Sequence, residues 1–143
     1  MSMFINKNTY IGDTGETLNN LTKLGKRINK NGWDFIKIGM YDSTKPIYLA
    51  CATLGTLPNA SIKDFNYSLP NFYGILQVQL LAYDNGGNRI PLPYINLYPS
   101  QYSQYWIGIE LISNNIIKIN TGIDRSNYYL WATFIYVATT EIS

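Results

Sequence analysis

From Trp33 onward, every periodic segment of the chain repeats at two residues, with turn residues between the segments. Strict alternation of that kind is the mark of strands that bury one face, so the chain is expected to fold into antiparallel sheets. Trp33 to Tyr41 alternates, with Ile36, Ile38 and Met40 on one face and Trp33, Phe35 and Tyr41 on the other. Asp42-Ser-Thr-Lys-Pro46 reads as a turn, and Ile47 to Leu54 as a buried return strand. Residues 55–71 read as a loop with room for a short edge strand from Lys63 to Leu69. Phe72 to Tyr83 is the strongest strand. Phe72, Leu76, Val78, Leu80 and Ala82 point one way, and Tyr73, Gln77, Gln79 and Tyr83 the other.

Asp84-Asn-Gly-Gly-Asn88 is a hairpin loop, because glycine accepts the positive φ such loops need. Pro91 and Pro93 lack N–H donors and confine Arg89 to Tyr98 to a sheet edge or bulge. Tyr105 to Ile112 and Ile116 to Asn120 flank a turn at Ser113-Asn-Asn115. Tyr128 to Ala138 is apolar or aromatic on both faces and belongs at the centre of a sheet. About seven or eight strands at roughly 8–12-residue spacing predict a mainly β chain, an antiparallel β-sandwich or jelly-roll-like head.

One segment breaks the rule. Leu18, Leu21, Leu24 and Ile28 recur at helical spacing within 13–31, opened by Asp13 and Glu16 as a capping pair and closed by Gly32. The chain therefore divides into an N-terminal arm (1–12), a short amphipathic helix (13–31) and a β head (32–143). About four turns of helix, weakened by Gly15 and Gly25, are marginal alone and must bury their stripe. The stripe either lies across a sheet of its own chain or forms an oligomer seam through Leu18, Leu21, Leu24 and Ile28. The seam is the favoured expectation.

Composition narrows function. With 143 residues and 46% hydrophobic content, there is enough chain for one domain with a real core. Charged residues are only 14%, so the surface must rely on uncharged polar groups and on 13 tyrosines. A net charge of +2 is too weak to point to nucleic acid or an anionic membrane. There is no histidine, which removes histidine-dependent triads, most zinc sites and an imidazole switch. Cys51 is the single cysteine; within its apolar run it reads as a buried, inert thiol. No apolar run approaches the roughly eighteen residues that span a bilayer, and no signal-peptide core opens the chain. A soluble protein with no classical secretory route and no cofactor is expected.

Nine carboxylates lie mostly at turns, where aspartate caps its own backbone. Asp84 and Glu110 are the pair that could serve glycoside hydrolysis if the fold brought them together. The more suggestive stretch is aromatic. Tyr94, Tyr98, Tyr102, Tyr105 and Trp106 alternate with Asn96, Gln101, Ser103 and Gln104, giving apolar rings with polar handles. Tyr98, Gln101, Tyr102, Gln104 and Trp106 are the candidate ligand-binding residues, suited to a sugar or another protein.

Gly12-Asp-Thr-Gly-Glu-Thr-Leu-Asn-Asn-Leu21, followed by an amphipathic run to Gly32-Trp33, resembles a pattern in fibre and tail proteins of tailed bacteriophages infecting Gram-positive bacteria. In those proteins a Gly-x-Thr-Gly-x-Thr-Leu-x-x-Leu helix precedes a small C-terminal β-sandwich. The closing aromatic strand, Tyr128 to Val137, is similar too. The resemblance implies homotrimers, contacts with other virion proteins, host-surface recognition and a place in the virion. Family members carry long upstream stalks; twelve residues before the helix favour a compact piece of a tail, fibre tip or capsid. The expected function is thus a non-enzymatic virion structural protein that binds the host cell surface. A carbohydrate-binding module or lectin is the alternative, and a small glycoside hydrolase the third.

Overall fold

A computed structural model describes residues 27–95, 104–113 and 115–143. They form nine strands: β1 (Arg27–Lys30), β2 (Trp33–Met40), β3 (Pro46–Thr56), β4 (Ile62–Asn66), β5 (Phe72–Tyr83), β6 (Arg89–Leu92), β7 (Ile107–Ser113), β8 (Ile116–Thr121) and β9 (Tyr129–Ala138). Every pairing is antiparallel. Six strands make one sheet in the order β1-β2-β3-β9-β5-β6, and three make a second in the order β4-β8-β7. The expected mainly β antiparallel fold is met.

The two sheets share one core. β9 sends Leu130, Ala132, Phe134 and Tyr136 into it, all fully buried. From the small sheet come Phe65, Ile107, Ile117 and Ile119. Large and small residues alternate across the strands: Ala50 stands between Phe35 and Phe134 in the register. Room left by the alanine lets rings interlock. Tyr67 stacks on Phe134 at 4.9 Å and Trp33 meets Phe134 at 5.7 Å between centroids. Each such pair adds about 0.5–1.5 kcal/mol beyond its buried area.

β9 is central in the large sheet, as its apolar run predicts. β6 is an edge strand, where Pro91 costs no ladder bond, and β4 is the short edge strand expected between Gly55 and Asn71. The edge next to β6 is joined to the small sheet by reciprocal 2.9 Å backbone bonds between Tyr94 and Ile107.

Several expectations change. The end of the expected helix is a strand: Arg27 to Lys30 form β1, and Ile28 pairs with Phe35 and packs on the core. The physical reason is Asn31-Gly32, whose φ values of 54° and 83° make the two-residue hairpin turn that this dipeptide favours. Gly32 is therefore a turn residue and not a helix stop, and residues 27–31 belong to the large sheet and its first turn. Ile28 is withdrawn from the oligomer seam. Leu18, Leu21 and Leu24 lie outside the described residues. Leu76 does not share a face with Val78 and Leu80: register shifts between Phe72 and Gly74 and between Ile75 and Gln77 turn Leu76 outward, 52% exposed. Cys51 is only half-buried, on the sheet face away from the core.

Candidate ligand-binding site

Alternation along six paired strands builds a second, open face on the large sheet. Opposite the core, the register sets Thr53, Trp131, Leu81 and Pro91 in one row across β3, β9, β5 and β6. The next row toward the hairpin end holds Tyr129, Tyr83 and Arg89. On the other side come Asp34, Cys51, Thr133 and Gln79, then Ile36, Leu49, Ile135 and Gln77. These side chains are half-buried or exposed, in contrast to the buried residues that alternate with them along β3 and β9.

Two adjoining depressions mark this face. One, about 280 Å³, is lined by Leu81, Tyr83, Arg89 and Trp131. The other, about 200 Å³, is lined by Gln79, Leu80, Leu81, Pro91, Trp131 and Thr133. Leu81 and Trp131 line both, so the two adjoin as parts of one groove. Its rings are held in place. Trp131 Nε1 donates to Thr133 Oγ1 at 3.1 Å, and that hydroxyl donates onward to Cys51 Sγ at 3.8 Å. Tyr83 stands 5.4 Å from Tyr129 between ring centroids, and the Arg89 guanidinium lies 5.3 Å over the Tyr83 ring. An aromatic floor with amide, hydroxyl and guanidinium groups at its rim can take a flat, partly apolar ligand and orient it by hydrogen bonds.

Charge on the face is sparse and mostly engaged. Asp34 accepts from Arg27 at 2.7 and 3.0 Å and from Asn29 at 2.9 Å. The Arg27 hydrogen bonds, then that of Asn29, hold its carboxyl below the ordinary carboxylate range. Asp84, at the β5–β6 turn, accepts from the Gly86 and Asn88 amides and from Asn88 Nδ2. The Asn88 side chain is the largest cause of its lowered pKa. Glu110 is an exposed residue of β7, across from Lys118. The carboxylates that could have made a hydrolytic pair are thus set in different sheets, one of them taken up by its own turn. Among the described residues no three His, Cys, Asp or Glu side chains gather as a metal site requires. Nor is any described helix long and apolar enough to cross a membrane.

Of the residues singled out in the sequence, Tyr98, Gln101 and Tyr102 lie outside the described residues. Gln104 is exposed and Trp106 half-buried. Their backbone is pressed against Gly122: a Cβ there would collide with the Gln104 carbonyl and stand 2.9 Å from Trp106 Nε1. Gly122 N donates to Trp106 O at 3.2 Å, and Arg125 Nη2 donates to Tyr105 O at 2.7 Å. Gln104 to Trp106 are thereby held against the β8–β9 loop, largely through their backbone. The groove residues Trp131, Tyr83, Arg89 and Leu81 were not singled out. Alternation separates Trp131 from Leu130 and Ala132, yet only the pairing of β9 with β5 brings Trp131 beside Leu81. No protein-family model matches the chain, and no curated protein or solved structure matches it.

Proposed function

We propose that the chain is a non-enzymatic recognition protein of a bacteriophage virion, and that it binds host-surface saccharide through the groove around Trp131. The groove is the observation that carries this reading: a 280 Å³ depression floored by Trp131 and Tyr83 and continuous with a second one rimmed by Gln79 and Thr133. A pyranose offers an apolar face to a ring and hydroxyls to amides, so this lining fits it in kind. The virion context is supported by the Gly12–Leu21 pattern. In this reading the two sheets are a head of sandwich or jelly-roll type, carried in several copies, most simply three, by the segment before it. A shallow groove binds one saccharide weakly, because association costs must first be offset. Several linked copies raise avidity by roughly 10² to 10⁴ without new contacts.

Trp131→Ala is the test. It should abolish binding to host cells and to their purified wall polysaccharide while the sheets remain folded by circular dichroism. Undiminished binding would end the groove reading. A lectin acting alone is the second reading, favoured by the same residues. It predicts saccharide binding by a monomer that does not associate with other virion proteins.

A further inference from the structure

Resting on the saccharide reading of the groove, we infer that its ligand is acidic: a uronic-acid saccharide whose carboxylate docks on Arg89 while a neighbouring ring lies against Trp131. Arg89 lines the same depression as Trp131 and Tyr83. Its guanidinium makes two contacts, with the Tyr83 ring 5.3 Å away and with the Asn88 carbonyl, to which Nη1 donates at 3.1 Å. That ring is itself immobilised, since Tyr83 Oη is bonded to Thr53 Oγ1 at 2.9 Å.

A guanidinium has five N–H donors in a rigid fork. Arg89 gives one to Asn88, and among the described residues no carboxylate lies within ion-pair distance of it. The acid near it, Asp84, has its oxygens committed to Gly86 and Asn88. Most of the fork is therefore open, held over the groove in the planar geometry that a carboxylate matches with two parallel hydrogen bonds. A single negative charge suits it better than a double one. Asp84 contributes a nearby negative charge, felt in its own pKa through Arg89, and among the described residues no second lysine or arginine lines either depression.

Matched ligands test the charge alone. Oligosaccharides of galacturonate, glucuronate and mannuronate, each with its fully methyl-esterified counterpart, are titrated calorimetrically into the full chain. The expected result is that at least one acid binds roughly ten-fold or more tighter than its ester, the value of a hydrogen-bonded charge. That advantage should shrink at high salt, since the fork is open to solvent. Arg89→Gln, at an exposed position, should bring the acid down to the level of its ester, and Trp131→Ala should weaken both. Equal binding of acids and esters, or an acid preference that survives in Arg89→Gln, would overturn the acidic ligand and leave the groove standing. No binding to any of the six would likewise overturn the acidic ligand alone, the groove then resting on its test with host wall polysaccharide; saccharide binding untouched by Trp131→Ala would overturn the groove as well.

Discussion

The Tyr83 and Thr53 hydroxyls are hydrogen-bonded at 2.9 Å although their strands are not neighbours. β9 runs between β5 and β3, so Tyr83 reaches over it to make the bond. Strand register sets Tyr83 between Tyr129 and Arg89, and the hydroxyl bond restrains its ring there. One hydroxyl pair on an exposed face thus orders the rim of the groove.

Tyr83→Phe should separate that ordering from ring contact. Loss of an exposed hydroxyl bond costs little stability, about 0.5–1.5 kcal/mol at most. Saccharide affinity should fall several-fold because the ring and the guanidinium above it are no longer fixed. Thr53→Val should have the same effect, and the double variant no more than either alone. Additive losses in that double-mutant cycle would show that the two hydroxyls act separately.

The β1–β2 hairpin should depend on backbone conformation and not on packing. Nothing lies within 4 Å of a Cβ built on Gly32, yet its φ is +83°. Gly32→Ala should therefore cost about 1–2 kcal/mol, the penalty of a left-handed conformation. The loss should be local. Hydrogen exchange should quicken in Arg27 to Lys30 and stay slow in β3 and β9, whereas Asn31→Gly should change little. Uniform acceleration through the sheet would contradict a locally fraying edge.

Acid should weaken the fold only in a low window. Asp42 accepts hydrogen bonds from the Thr44 and Lys45 amides and from both side chains. Led by the Thr44 amide, these pull its pKa from 3.8 to about 2. Arg27 lowers Asp34, Asn88 lowers Asp84 and Ser126 lowers Asp124. A depressed carboxyl pKa gives stability that is present above the unfolded value and lost as pH falls through the folded one. At the alkaline end the sign reverses. Burial raises Tyr136, with a further push from Tyr48, and burial raises Tyr67. Their contribution is present below the unfolded value of 10 and lost as pH climbs beyond it. With no histidine in the chain, melting temperature should be flat from about pH 5 to 9. It should fall below about pH 4 and again above about pH 10. A step near pH 6.5 would contradict this account.

How much of this was legible in the sequence depends on the range of the interaction. Strand positions were legible because alternation is local: β2, β5, β8 and β9 fall within a residue or two of their period-two runs. So was the edge position of β6, from its prolines. Three features were hidden. Asn31-Gly32 can end a helix or turn a hairpin, and the Leu18–Leu24 spacing made the helix extend into β1. The bulges that expose Leu76 depend on β9 pairing, which no run within β5 reveals. The groove joins residues from β5, β6 and β9, far apart along the chain, so each looked like an ordinary strand position. Trp131 and Tyr83 were visible as outward residues at most. The aromatic stretch around Trp106 draws more notice because its rings lie close together in the sequence, and the backbone of its described part is held by Gly122 and Arg125.

The reassignment of Ile28 yields a prediction that separates the sheet from the seam. Ile28 packs partly buried against the core from β1, with Phe35 as its partner. Ile28→Asp should therefore act on the head. Part of the roughly 1.5–3 kcal/mol of a buried aliphatic side chain is lost, the melting temperature drops by several degrees, and the molecular mass is unchanged. Leu21→Asp and Leu24→Asp should behave in the opposite way if the stripe knits subunits together. Light scattering should then report monomers, while the melting of the sheets stays close to that of the unaltered chain. If the stripe lies across its own sheet, the leucine variants should melt earlier with no change in mass. An unaltered chain that is monomeric at micromolar concentration would sink the seam, whereas dissociation by Ile28→Asp to the same extent as by Leu24→Asp would return Ile28 to it.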